Sequence, residues 1–349
     1  MPRSYGLETR ESRLRTATGS GDDLCTNMVF SVAPAITGLQ LLNSLKTFEP
    51  FSTGHRQIDC QLWSRPLKRN RSDSPIPYPP LTGLSRRQHL QVEGPPGSGK
   101  TKFVIGLAVR ARTASLVRYG SNEAVEVLLI DCDGSLHPKL IKRSAEALVQ
   151  SCYQDEVEGK IVDRICDGCH LVRVTSTAEL GFFFRRLPTW LKSHPKVKLV
   201  VLDSITAHTR YVSMSISQRK TIAKIIKEGL TCASSQHDCA VVVTSQLATK
   251  SVMNQGTYTN MKILTPPDFG ANFWAKDESS SSSSSTPRSL SSKLSRICFL
   301  FNSDGTRQAV VLENDKIIHP KHTIWFQIDE IGIFDPSPPA PYNASHRAK

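Results

Sequence analysis

Gly94-Pro95-Pro96-Gly97-Ser98-Gly99-Lys100-Thr101 is the stretch on which the fold turns. It fills every position of the pattern G-x-x-x-x-G-K-[ST]. Gly94, Gly97 and Gly99 let the backbone curl until its N–H groups face one point. Lys100 adds a mobile cation and Thr101 a hydroxyl, both at the start of a helix whose N-terminus carries partial positive charge. Such a loop cradles phosphates, with Pro95, Pro96 and Ser98 completing the turn. The flanks agree: Leu90-Gln-Val92 reads as a strand entering the loop. Thr101 to Arg112 reads as a helix with Phe103, Val104, Leu107 and Ala108 on one face.

Working outward, Val125 to Ile130, His170 to Val174, Val197 to Leu202 and Ala240 to Thr244 are short apolar runs that read as buried strands. Between the last two lies Ser217 to Ser234, an amphipathic helix. Ile222, Ile225, Ile226 and Leu230 face inward and Arg219, Lys220, Lys224 and Lys227 outward. Alternating strand and helix predicts an α/β domain with a parallel sheet covered on both faces. Arg296 to Phe301, Ala309 to Leu312 and Thr323 to Ile328 follow as short strands. With the turn signal Asp304-Gly305 between the first two, they predict an antiparallel extension of that sheet.

Phosphate chemistry needs a carboxylate on the metal side, expected on a neighbouring strand. Leu199-Val-Val-Leu202-Asp203 supplies one at a strand's C-terminal end, so Asp203 would hold a Mg²⁺ water shell beside Thr101. An attacking water needs a base or orienting group. Ile130-Asp131-Cys132-Asp133-Gly134, expected beside the phosphate loop, offers Asp133, with Asp131 as a strand-end structural carboxylate. Gln246, in Thr244-Ser245-Gln246, could sense a γ-phosphate.

The remaining composition narrows the class. The chain has 349 residues and a net charge of +13, which favours an anionic partner such as nucleic acid. No run of 18 apolar residues occurs, so no membrane partner is expected. The N-terminus lacks an apolar signal region, and a reducing compartment would keep the 9 cysteines as thiols. Residues 1–33 read as a basic and polar tail. The core spans 34–335, opening with a short helix between Pro34 and Lys46. Residues 63–82 form an exposed insertion rich in Pro and Arg; its knot Arg65, Lys68, Arg69 and Arg71 could act in nuclear import. Residues 277–294 hold the serine run Ser279 to Ser285 and read as a loop. Residues 336–349 are a flexible tail.

In this order the pieces resemble the RecA-type recombinase core, in particular the eukaryotic recombinase and its paralogues. Ser52-Thr53-Gly54-His55-Arg56-Gln57-Ile58-Asp59 resembles the segment that opens the family core, and Gly83-Leu84 the approach to its first strand. Gly94 to Thr101 corresponds to its phosphate loop, and Ile130 to Pro138 to the stretch with the water-activating Glu. Leu202-Asp203-Ser204 and Thr244-Ser245-Gln246 match the metal-side and sensor strands. The resemblance covers about residues 34–335. It implies a RecA-like ATPase core using ATP and Mg²⁺. It further implies single-stranded DNA and recombinase-family subunits as partners, in a nuclear recombination mediator that assists filament assembly during double-strand break repair.

By the same resemblance, DNA would be held by two loops. The first lies between Ala207 and Gln218, with His208, Arg210, Tyr211 and Arg219 in or near it. The second lies between Ala248 and Ala271, with Lys250, Tyr258 and Lys262. Four departures qualify the likeness. The family's N-terminal helical domain is expected to be absent, insertion 63–82 separates two motifs, and the serine run follows the second DNA loop. Asp133 stands where the active recombinase has Glu. One methylene less retracts the carboxylate by ~1.5 Å, and a ~1 Å misplacement costs on the order of 10²-fold. The expectation is a slow DNA-dependent ATPase, closest to the fungal paralogues. The alternatives are a non-hydrolysing interaction subunit and another RecA-fold motor such as a helicase.

Other patterns are weaker. Cys166-Asp-Gly-Cys169-His170 copies a haem-attachment motif in the wrong context and reads as a turn with two thiols. Phe182-Phe183-Phe184 reads as helix core packing. Phe30-Ser-Val-Ala33 resembles the family's Phe-x-x-Ala docking plug.

Overall fold

The strand that feeds the phosphate loop lies inside the sheet. β1 (His89–Gly94) is flanked by β5 (Ala240–Gln246) on one side and β8 (Leu294–Phe301) on the other, parallel to both. The coordinates come from a computed structural model and describe residues 49–62, 82–152, 158–208, 214–254, 257–265, 294–301, 304–313, 316–317 and 323–335. All fall in one compact unit, Phe48–Lys349. The expected helix at 34–46, the Phe30 motif, both tails, insertion 63–82 apart from Thr82, and loop 277–294 apart from Leu294 lie outside the described residues.

Beyond β5 the sheet continues through β4 (Val197–Asp203), β2 (Glu126–Asp131) and β3 (Cys169–Arg173), all parallel. Beyond β8 come β9 (Arg307–Glu313), β11 (Ile324–Ile328) and β12 (Ile333–Phe334), all antiparallel, with β10 (Lys316–Ile317) pairing β9. The α/β class and the antiparallel extension are therefore as the sequence reads. The placement of β2 differs: β5 and β4 both lie between it and β1. Asp203 likewise stands one strand further from β1 than expected.

Each buried strand alternates its side chains between two cores, as a two-residue period dictates. Val127, Leu129, Leu199, Val201 and Val242 meet α2 (Lys100–Glu123), α3 (Pro138–Cys152) and α4 (Glu158–Asp167) on one face. Leu128, Ile130, Val200, Leu202, Val241 and Val243 meet α5 (Thr177–Ser193) and α6 (Ile216–Gln236) on the other. α1 (Arg56–Leu62) adds Ile58 and Leu62 to the first core. α2 runs past the expected Arg112 and is broken at Gly120, where the backbone leaves helical geometry. α5 starts on the cap Ser176 and α6 on a capping box between Ser215 and Gln218. The triple phenylalanine splits: Phe184 is buried, whereas Phe182 is 68% exposed, because consecutive helical residues point about 100° apart.

The expected second DNA loop is an antiparallel hairpin over much of its length. β6 (Ala248–Asn254) pairs with β7 (Thr257–Thr265), with Lys250 opposite Ile263 and Met253 opposite Tyr258. The sequence carried a sign: Gln255-Gly256, with its glycine, separates Ala248–Asn254 from the Thr-rich run Thr257–Thr265.

Candidate nucleotide site

The phosphate loop closes at the junction of β1 and α2. Gly99 adopts φ 103°, a conformation only glycine enters at little cost. A Cβ there would also lie 2.3 Å from Ile328 Cδ1, so β11 packs against the loop from beneath. At Gly97, by contrast, a Cβ would meet nothing within 4 Å, leaving open space over the turn. Lys100 is buried, and its Nζ donates to Gly94 O at 3.0 Å and Pro95 O at 2.9 Å. Ser98 is fully buried, and its Oγ has no hydrogen-bond partner among the described residues.

Asp203 ends β4 with 1% exposure. Its Oδ2 accepts from Thr101 Oγ1 at 2.9 Å and from Ser135 Oγ at 3.1 Å, and its Oδ1 accepts from Thr244 Oγ1. Burial pushes this carboxyl above its ordinary value. The Thr244 hydroxyl works against that, and the charge of Asp133 adds to it. A buried carboxylate ringed by hydroxyls is a hard-oxygen donor set suited to a divalent cation. The sequence reading found Asp203 and Thr101. It missed Ser135 and the hydroxyl of Thr244, whose only signals were their positions beside Asp133 and Gln246.

Asp133 is exposed, and its Oδ1 accepts from Ser135 N at 3.0 Å. Asp131, fully buried, accepts from Gly134 N at 2.8 Å and so holds the turn, the structural role expected of it. Gln246 ends β5; its backbone N–H donates to Thr206 Oγ1 at 3.2 Å. Asp133 and Gln246 line the same cavity of about 430 Å³, together with Arg173, Thr175, Ser204 and His208. It opens at the carboxyl ends of β2, β3, β4 and β5, the usual location for ligands in an open α/β sheet.

The proposed DNA residues are less assembled. Arg210 and Tyr211 lie outside the described residues. His208 is buried, its Nε2 bonded to Val174 O at 2.9 Å, so it faces the cavity rather than a surface track. Arg219 sits half-buried in the first turn of α6. Lys250, Tyr258 and Lys262 lie on the hairpin strands. Elsewhere, Cys166 and Cys169 are free thiols, and burial pushes Cys169 up to about 12. His170 Nε2 meets Glu126 Oε2 at 2.9 Å. Among the described residues no group of His, Cys, Asp and Glu is arranged to hold a metal ion by itself, and no helix is long and apolar enough to cross a membrane.

Residues 70–251, just over half the chain, match a family described as an AAA domain. The chain is 27% identical over 184 residues to DNA repair protein RAD51 homolog 3 of Cricetulus griseus, covering 50% of each protein. It is 35% identical over 126 residues to DNA repair and recombination protein RadB of Methanothermobacter thermautotrophicus, covering 36% of this chain and 44% of RadB. It is 23% identical over 225 residues to DNA repair and recombination protein RadA of Methanococcus maripaludis, covering 61% of each. The chain thus spans about half the length of the curated relatives it matches. A G-x-x-x-x-G-K-T loop at the end of an internal parallel strand, the family match and these relatives agree: the chain belongs to the AAA domain family and, within it, to the RecA-type recombinase paralogues.

Proposed function

We propose that this chain binds ATP with Mg²⁺ and acts in homologous-recombination repair of DNA double-strand breaks, assisting recombinase filament assembly on single-stranded DNA. The observation that carries the reading is the Thr101, Ser135, Asp203 and Thr244 cluster beside a glycine-rich loop. The residues present fit the nucleotide. Lys100, which now donates to two loop carbonyls, would turn its ammonium to phosphate oxygens. The backbone N–H groups of Gly97 to Thr101 would cradle the phosphates, and Thr101 with Asp203 would hold the cation. When bound, ATP would supply a phosphoryl group whose transfer to water can switch subunit contacts. Asp133 would orient or deprotonate that water and Gln246 would sense the phosphate, both from the shared cavity. The carboxylate of Asp133 is one methylene shorter than Glu, so turnover would be slow.

The chain would work with another recombinase-family subunit in a nuclear hetero-oligomer, a reading in keeping with relatives named as DNA repair and recombination proteins. Single-stranded DNA would contact Arg210, Tyr211 and Arg219, and the hairpin residues Lys250, Tyr258 and Lys262. One contact favours a second reading, in which nucleotide is held at a subunit interface without being hydrolysed: Asp133 is engaged by Ser135 N within its own turn.

The test is equilibrium ATP binding in Mg²⁺. Lys100→Ala is expected to weaken it by about 10- to 100-fold, the worth of a lost charge-assisted contact. Equal affinity in variant and wild type would end the nucleotide reading. Affinity purification in ATP then asks whether a recombinase-family subunit copurifies.

A further inference from the structure

Asp131 and Arg173 are direct partners in the parallel ladder between β2 and β3, so their side chains leave the sheet together. Asp131 has 0% exposure, and its Oδ1 accepts a hydrogen bond from Gly134 N. Oδ2 has no hydrogen-bond partner among the described residues, and Arg173 Nη1 stands 3.9 Å from it. The guanidinium also fills the space beside Gly134. A Cβ at that glycine would come within 2.3 Å of Nη2 and 3.1 Å of Cζ, and Gly134 has φ 84°. The turn from Cys132 to Ser135 is thus bonded by Asp131 and packed against by Arg173. That turn presents Asp133 to the cavity and Ser135 to Asp203 and Thr101.

We infer that Arg173 is a positioning residue for the nucleotide site: it clamps the Cys132 to Ser135 turn through Asp131 and Gly134, and so sets where Asp133 and the Ser135 hydroxyl stand. The inference rests on the nucleotide reading above for its consequence, though not for the clamp itself. A guanidinium serves where an ammonium would not fully suffice, because its rigid fork can face the Asp131 carboxylate with one nitrogen while another packs beside Gly134. Arg173 is 60% exposed on its side chain, so its replacement is tolerated by the fold. Its neighbour Thr175 is occupied elsewhere, with Oγ1 donating to Glu179 Oε2 at 2.9 Å, and cannot take over the role.

The experiment uses the full chain with Arg173→Met, Arg173→Lys and Gly134→Ala. Three quantities are read: amide hydrogen exchange of the peptide spanning residues 131–137, the ATP Kd in Mg²⁺, and ATP turnover. Arg173→Met should speed exchange in that peptide by about tenfold, as a local opening becomes easier. Its ATP Kd should stay within about twofold while turnover falls about 10²-fold, the mark of a displaced group rather than a lost binding contact. Arg173→Lys should recover part of both effects. Gly134→Ala, which both evicts the guanidinium and strains a backbone held at φ 84°, should loosen the same peptide more than Arg173→Met does. Unchanged exchange in Arg173→Met overturns the clamp. A Kd that rises in step with the loss of turnover also overturns it, by making Arg173 a phosphate contact. If the wild type binds no ATP, the nucleotide reading falls, and the exchange comparison still decides the clamp.

Discussion

His89 should make the stability of this protein depend on pH in the mildly acidic range. The residue opens β1, is 2% exposed, and its Nε2 lies 2.8 Å from Ser234 Oγ on α6. Burial lowers its pKa from 6.5 to about 4, because an imidazolium there would lose its hydration. The unfolded chain takes up a proton below pH 6.5, and the folded chain resists until about pH 4. Stability from the neutral ring is therefore complete above pH 6.5 and is lost as pH falls from 6.5 to 4. A gap of about 2.5 pKa units is worth about 3 kcal/mol in full, and about 2 kcal/mol at pH 5. For a domain of this size that is roughly 4–8 °C in Tm. The assay is thermal or urea unfolding at pH 7.5 and pH 5, for wild type and His89→Gln. Gln cannot titrate, so its packing cost is the same at both pH values. The wild type should lose about 2 kcal/mol more than the variant between them. An identical pH dependence in the two proteins would refute the reasoning.

Other expectations concern the site itself. Asp203→Asn removes a charge that burial disfavours, so the ligand-free Tm should equal or exceed that of wild type, while the added stabilisation by ATP with Mg²⁺ disappears; a Tm increment with ATP and Mg²⁺ that matches wild type would remove Asp203 from the metal site. Asp133→Asn should abolish slow ATP turnover and keep ATP binding, and Asp133→Glu should raise the rate by up to about 10²-fold. The assay needs any partner subunit's own phosphate-loop lysine removed, and a rate indifferent to residue 133 would leave ATP as an interface ligand. Replacing Lys250 and Lys262 with Ala should flatten the salt dependence of single-stranded DNA binding by about 0.7 per lost phosphate contact; an unchanged slope moves the DNA surface off the hairpin.

Local pattern was enough for much of this protein. The phosphate loop is legible because its glycines, lysine and threonine are needed at fixed spacing within a single turn. Strands such as Val197–Asp203 and Ala240–Gln246 are legible because a strand buried on both faces reads as a near-continuous apolar run. Asp203 and Gln246 stand out for the same reason, as polar residues at the ends of such runs. What the sequence left open is everything set by strand order and by contacts between distant segments. It placed β2 beside the phosphate loop, whereas β5 and β4 intervene, because the order of parallel strands depends on how helices cross over the sheet. Only folding brings Thr101, Ser135, Asp203 and Thr244 to one point from four separate segments. Only the pairing of β2 with β3 sets Arg173 opposite Asp131, and only packing buries His208 and His89 while leaving Phe182 in solvent. A side chain's chemistry is written in the sequence, but its partner and its exposure to water are properties of the neighbours that the tertiary fold supplies.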